Sequence, residues 1–364
     1  MGVITDYIKR LFGSGGKADD SAAYAQTQVS LQELLHEHKV PGMALTVLEK
    51  GETILQRGFG LADIDLGIPV DPKTTLFRIA SASKPIASMA LAKMVSENKI
   101  ELDRSFYHYV PYFPKKEFDF TIRQLAAHTA GIRGYRGKEY ALNKPYSIKE
   151  SIKLFQDDPL LFRPGTDFLY TSFDWVLLSL AMEEISGIPF SEYVKQNVLL
   201  PLGMDNTLVE IPEESLKHKA VSYSRTRTGF RPAIPVDNRY KLAGGGYLST
   251  SDDLAKLGRA CLENTLVPPQ VMKEFLTPQI VNKNSTYYGL GWQVSRDSGG
   301  RPFIGHVGNG VGGYSNFFVY PEDEVVISLL INCTDPKIQP LLDEKILPSL
   351  LEEISANGFI SSSS

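Results

Sequence analysis

Ser81 stands three residues before Lys84 in the stretch Phe77-Arg78-Ile79-Ala80-Ser81-Ala82-Ser83-Lys84-Pro85, directly ahead of the apolar run Ile86-Ala87-Ser88-Met89-Ala90-Leu91-Ala92. A helix over that run puts Ser81 and Lys84 one turn apart on one face. Pro85 supports this frame, because proline is tolerated in the first turn of a helix but not in its interior. A serine hydroxyl attacks poorly until a neighbour takes its proton, and a lysine does so only when its pKa is depressed. Burial and nearby cations depress it. Two further stretches carry chemistry. Pro164-Gly165-Thr166-Asp167-Phe168-Leu169-Tyr170-Thr171-Ser172 presents a phenol on a loop just before an apolar helix at Trp175. In Gly305-His306-Val307-Gly308-Asn309-Gly310-Val311-Gly312-Gly313 a strand ends in a histidine followed by glycines that admit a substrate close to the backbone. Taken singly, each has a plainer reading: a helix-capping serine with a solvated lysine, an ordinary tyrosine, and a turn with an incidental histidine.

The elements that must position these residues follow from periodicity and turn signals. Ala22 to His38 reads as a helix with Leu31, Leu34 and Leu35 on one stripe, and His36 and His38 as solvated. Met43–Leu48 and Thr53–Phe59 read as a hairpin turning at Lys50-Gly51. Helical patterns dominate from about residue 100 to 240: Ile122–Ala127, Ser147–Phe155, Trp175–Ile185 and Phe190–Val198. Strands return at Tyr288–Val294, Pro302–His306, Tyr314–Val319 and Val325–Ile331, followed by an amphipathic helix from Ile338 to Ile354. Closely spaced strands pair antiparallel, since parallel ones need crossovers. The expected fold is α+β: one antiparallel sheet flanked by helices, an α/β/α sandwich with a mainly helical insertion. The divisions are an N-terminal segment and linker at 1–20, a discontinuous sheet domain at 21–85 and 241–357, a helical subdomain at 86–240, and a disordered tail at 358–364.

Composition narrows the function classes. An apolar fraction of 43% and a charged fraction of 22% are those of an ordinary soluble globular chain, and a net charge of −4 argues against a nucleic-acid partner. Cys261 and Cys333 lack metal-ligand spacing and read as buried thiols, and the scattered histidines give no metal site. Val3, Ile4, Tyr7, Ile8, Leu11 and Phe12 recur at helical spacing ahead of Gly13-Ser14-Gly15-Gly16. Residues 3–12 therefore read as a short docking helix, with weak peripheral membrane contact as the other reading. With no leader pattern visible, the expected compartment is cytoplasmic, or exported if a leader has been removed.

Together the three stretches resemble the serine β-lactamase and penicillin-binding-protein superfamily, in its class C-like branch. Ser81-Ala82-Ser83-Lys84 matches Ser-x-x-Lys, Tyr170-Thr171-Ser172 the Tyr-x-Asn box, and His306-Val307-Gly308 the Lys-Thr-Gly box. Supporting stretches are Val40-Pro41-Gly42-Met43-Ala44, Ala127-His128-Thr129-Ala130-Gly131-Ile132 and Ala243-Gly244-Gly245-Gly246-Tyr247-Leu248-Ser249-Thr250. The resemblance, over roughly residues 25 to 335, implies a β-lactamase/transpeptidase-like fold and a covalent acyl-enzyme on Ser81. It implies Lys84 and Tyr170 as proton acceptor and carrier, with their order left open. The backbone N–H groups of Ser81 and Asn309 would form the oxyanion hole, and His306 would orient substrate or share protons. Ser172, Val307 and Gly308 would contact substrate. No cofactor is implied, and homo-oligomers are compatible with it.

Two departures bear on the substrate. Ser172 replaces an asparagine, and His306-Val307 replace the lysine and threonine that grip a β-lactam carboxylate. The expectation is a serine hydrolase for an ester or peptide amide, with weak β-lactam hydrolysis at most. A receptor that acylates without turnover and an oligomer-forming scaffold are the alternatives. His128 reads as a structural buttress. Tyr107, Tyr109, Tyr112 and Phe113 read either as core or as a substrate mouth, and Trp292 as core.

Overall fold

The computed structural model describes residues 24–211 and 215–361. The expectations for residues 1–20 and for the last three serines lie outside the described residues. A sheet of seven strands carries the architecture: β1 (Gly42–Glu49), β2 (Glu52–Asp63), β3 (Ile68–Pro69), β4 (Gln293–Arg296), β5 (Pro302–Gly310), β6 (Gly313–Tyr320) and β7 (Val325–Ile331). Their order is β4-β5-β6-β7-β1-β2-β3, and every pairing is antiparallel. β1 and β2 are joined at Lys50 and Gly51, both at positive φ (50° and 82°), the two-residue turn whose twist matches a hairpin. The early and late strands join where β1 pairs with β7, with Met43 opposite Ile331 and Glu49 opposite Val325.

Both faces of the sheet are covered, so its central strands β1, β6 and β7 are buried almost throughout and mostly apolar, rather than alternating between apolar and exposed polar residues. Met43, Leu45, Val47, Ile327, Leu329 and Ile331 face a core shared with two terminal helices, α1 (Ala25–His36) and a C-terminal helix (Leu347–Ser361). The intervening residues Ala44, Leu48, Val326 and Leu330 face the opposite way. They pack in a larger core with α2 (Ser83–Ser96), α3 (Ser172–Ser186) and α4 (Ser251–Glu263). A one-residue slip in β1 or β7 would exchange the two sets, so register is strongly specified. Each fully buried Leu or Ile here contributes about 1.5–3 kcal/mol.

The C-terminal helix, α5, continues to Ser361, into the stretch expected to be a disordered tail. That stretch contains Gly358, but one glycine costs a helix only about 1 kcal/mol. The strand expected over Tyr288–Val294 begins only at Gln293. The preceding Gly289-Leu290-Gly291 is drawn into the helical layer, with Leu290 N–H bonded to Phe275 O (2.8 Å) and Gly291 N–H to Ala126 O (3.1 Å). Gly291 sits at φ 88° with no room for a Cβ, which would lie 2.6 Å from the Trp175 ring. Cys261 and Cys333 are free and buried. Phe106, Tyr107, Phe113 and Phe120 form an interlocked aromatic cluster inside the core, while Tyr112 is exposed. Trp292 is fully buried, its Nε1 donating to Ser88 Oγ at 2.8 Å.

Candidate active site

Ser81 lies in a single 3₁₀ turn, Ala80–Ala82, that leads straight into α2. Ala80 is held at φ 46°, a left-handed conformation that costs a non-glycine residue of order 1 kcal/mol and re-aims the chain at the turn. Lys84 is the second residue of α2 and Pro85 the third, so the proline occupies the first turn. Every residue of α2 from Ser83 to Ala92 is buried. A helix apolar on all sides runs through a core, and a lysine at its mouth has no route to bulk water. Lys84 Nζ donates to Ser81 Oγ at 3.3 Å and to the carbonyl of Gly244 at 2.7 Å.

Tyr170 approaches from the other side, its hydroxyl 2.8 Å from Ser81 Oγ. The bonds of its neighbours pin it. Leu169 N–H donates to His128 O (2.9 Å), Thr171 Oγ1 donates to Arg133 O (3.0 Å), and the same Thr171 oxygen caps α3 by accepting from Phe173 N–H (3.2 Å). The Lys84 ammonium also lies over the Tyr170 ring, 4.6 Å from its centroid.

Electrostatics separates the two groups that flank the serine. Burial brings the Lys84 pKa down to about 7; the Asp174 carboxyl opposes this and the Lys241 charge reinforces it. Burial pushes the Tyr170 phenol up, so it keeps its proton at neutral pH. Close to neutrality the lysine is therefore the better proton acceptor and the phenol the better donor.

The third stretch forms the end of β5. That strand pairs with β6 along its length, but β4 stops at Gln293 opposite Gly305, leaving the other edge of residues 306–310 without a strand. Val307 N–H points off this edge to Gln293 Oε1 (3.0 Å), and the two-residue period aims Asn309 N–H the same way. The turn carrying Ser81 abuts this edge. A Cβ on Gly308 would lie 2.3 Å from both Ile79 O and Ser315 Oγ, so only glycine fits. Ser81, Ser172 and Asn309 line one open cleft of about 480 Å³, including solvent at its mouth.

His306 is placed differently from the expectation. It is 1% exposed, its Nε2 accepts from the Tyr288 hydroxyl (3.0 Å), and its Nδ1 donates to Val307 O (2.7 Å). Burial, with the Lys84 charge, lowers its pKa to about 3, so it is neutral and props the Tyr170 ring rather than reaching into the cleft. Val307 and Gly308 do not line the cleft either. The Val307 side chain packs toward the terminal-helix core, and Gly308 is covered by the Ser81 turn.

Residues 29–348 match the family model described as Beta-lactamase. The chain belongs to that family. It is 29% identical to the serine beta-lactamase-like protein LACTB, mitochondrial, of Homo sapiens, over 83% of this chain and 74% of that protein. Among solved structures it resembles the octameric penicillin-binding protein homologue from Pyrococcus abyssi, with TM-score 0.78 and 25% identity, covering 90% of this chain and 77% of that one. The D-amino acid amidase from Ochrobactrum anthropi SV3 shares the fold, with TM-score 0.78 and 21% identity over 93% of this chain and 99% of that one.

Within this beta-lactamase-family fold, the structure brings together Ser81, Lys84, Tyr170, Ser172 and Asn309, as the sequence predicts. It also adds partners whose contacts with the site the sequence did not mark. Gly244 supplies the carbonyl that anchors Lys84, and a Cβ there would lie 2.9 Å from that of Ser172. Tyr288 holds His306. His128, expected to be structural, is fully buried under the Tyr170 ring (centroids 4.5 Å apart), its Nδ1 2.8 Å from Asp174 Oδ2. Burial drives the pair toward neutrality from both sides, raising the Asp174 pKa and lowering that of His128. In the sequence Asp174 looks like an ordinary acid in the first turn of a helix, and only the fold turns it inward. Among the described residues no cluster of three His, Cys, Asp or Glu side chains is arranged to hold a metal ion.

Proposed function

We propose that this protein is a serine hydrolase that opens an ester or peptide amide through a covalent acyl-enzyme on Ser81. The observation that carries this reading is the placement of Lys84 Nζ at 3.3 Å and Tyr170 OH at 2.8 Å on the same Ser81 oxygen. Lys84, its pKa near 7, accepts the hydroxyl proton as Oγ bonds to the substrate carbonyl carbon. The N–H groups of Ser81 and Asn309 stabilise the resulting oxyanion, a contribution of about 3–4 kcal/mol per donor in acyl-transfer enzymes. The bond to the leaving group then breaks, the phenol of Tyr170 gives that group its proton, and the Lys84 ammonium restores the phenol. Water attacks the acyl-enzyme with the same groups in reverse, releasing the acid and free Ser81.

β-Lactam hydrolysis is weak at most on this reading. The family's cationic lysine position holds a neutral, buried His306, and Ser172 replaces the amide that grips such substrates. The test is active-site labelling with a fluorophosphonate probe, followed by turnover of p-nitrophenyl esters, D-amino-acid peptides and nitrocefin, for wild type and Ser81→Ala. Labelling and turnover lost in Ser81→Ala support the hydrolase. A burst without steady turnover identifies a receptor, and an unlabelled wild type a scaffold.

A further inference from the structure

The cleft extends from Ser81 away from Tyr170 and His306, between the Ser172 end of α3 and the segment Asn238–Lys241. Two cations border it. Arg78 is spent: its Nε and Nη2 each donate to Glu210 at 2.7 Å, and its Nη1 donates to Val311 O at 2.9 Å. Lys241 is not. Its Nζ donates to the carbonyl of Tyr140 at 2.5 Å, and among the described residues no carboxylate lies within ion-pair distance of it. The Tyr135 hydroxyl, on the same wall, is buried between Ser172 and Tyr240 without a well-formed hydrogen bond to either. An uncompensated cation and Ser172 thus border a space that begins at the nucleophile, with the unspent Tyr135 hydroxyl enclosed behind them.

From this convergence we infer that Lys241 is the specificity residue of an anion subsite, and that the preferred substrate is an ester or amide whose acyl part carries a carboxylate. The inference rests on the acyl-enzyme reading for its direction. Tyr170 serves the leaving group and does not line this part of the cleft, so the piece retained on Ser81 is the piece that enters it. A carboxylate there accepts from Lys241 Nζ and from the Ser172 hydroxyl, supplying a negative charge that no described residue places beside Lys241. Burial and the Arg78 charge bring Lys241 down to about 7, as befits an ammonium without a counter-charge, and a bound carboxylate reverses that shift.

The test compares glutaryl and butyryl p-nitroanilides, which differ in the terminal carboxylate. Wild type is expected to favour the glutaryl compound in kcat/KM by at least about tenfold, the effect of one charge-assisted hydrogen bond. Lys241→Met should collapse that ratio, and Lys241→Arg should preserve most of it. Equal ratios in wild type and Lys241→Met, or a wild-type preference for butyryl, overturn the inference. In wild type alone, glutarate should protect Ser81 from the fluorophosphonate at lower concentration than butyrate, and equal protection counts against the subsite. If Ser81 proves unreactive, the hydrolase reading fails separately. Calorimetric titration with the two free acids then decides: tighter glutarate binding upholds the subsite, and equal binding removes it.

Discussion

Lys84 Nζ is held between the hydroxyl of Ser81, at 3.3 Å, and the carbonyl of Gly244, at 2.7 Å, with its side chain fully buried. The carbonyl fixes where the amine points, and burial decides whether it carries a proton.

On this basis kcat/KM should rise with pH through an apparent pKa of about 7, since below it the ammonium cannot accept the Ser81 proton. Lys84→Met should reduce kcat by about 10²–10⁴-fold. Stability should move the other way. A lysine whose folded pKa is depressed destabilises the fold below that pKa, and the penalty fades as pH rises toward the unfolded value of about 10.4. Lys84→Met should therefore melt higher than wild type near neutrality, with the gap closing in alkali. Thermal melts across pH, beside the pH–rate profile, check both.

Tyr170→Phe removes the proton that the leaving group needs. The expected loss is about 10²–10⁴-fold in kcat for amides, whose amine must leave protonated. It should be much smaller for p-nitrophenyl esters, whose phenolate leaves without help. Parallel kinetics on an anilide and an activated ester measure this, and equal losses on both would show that the phenol serves as base instead.

Gly308→Ala pushes a methyl group against Ile79 O and Ser315 Oγ, each 2.3 Å away. Neither can retreat cheaply, because Ser315 Oγ donates to that same carbonyl at 2.7 Å. A destabilisation of about 1–3 kcal/mol in urea titration is expected, with loss of activity as the Ser81 turn lifts off the strand.

Asp174→Asn keeps the shape of the buried pair with His128 and removes its ionisable acid. Because the folded pKa of Asp174 is raised, its proton is held more tightly in the folded state, and stability is lost as pH climbs from the unfolded value of about 3.9 toward the folded one. The variant should thus match wild type in acid and exceed it in melting temperature as pH rises. Calorimetric scans at about pH 5 and about pH 8 test this. A deficit in the variant at the higher pH would mean that the ionised carboxylate is what stabilises the site.

How much was legible in the sequence follows the range of each interaction. The strand at Val325–Ile331, the start of the strand at Pro302, the Lys50-Gly51 hairpin and the one-turn spacing of Ser81 and Lys84 are local, and residue type with periodicity was enough to find them. The strand expected to end at His306 runs on through its glycines to Gly310, because β6 pairs with it that far. The Tyr288–Val294 reading failed because apolar character does not separate a strand from a loop drawn into a core by glycines.

The sequence by itself determined the reactive groups, the order of the elements and the family to which they point. The tertiary structure alone decided the chemical state of those groups: Lys84 loses its solvent because α2 runs through the core, and His306 is neutral because it is buried near the Lys84 charge, with Tyr288 holding its ring in place. It likewise decided that Arg78 is neutralised by Glu210 while Lys241 borders the cleft without a counter-charge among the described residues. Burial and charge pairing are set by residues far apart in the chain, so no local pattern records them.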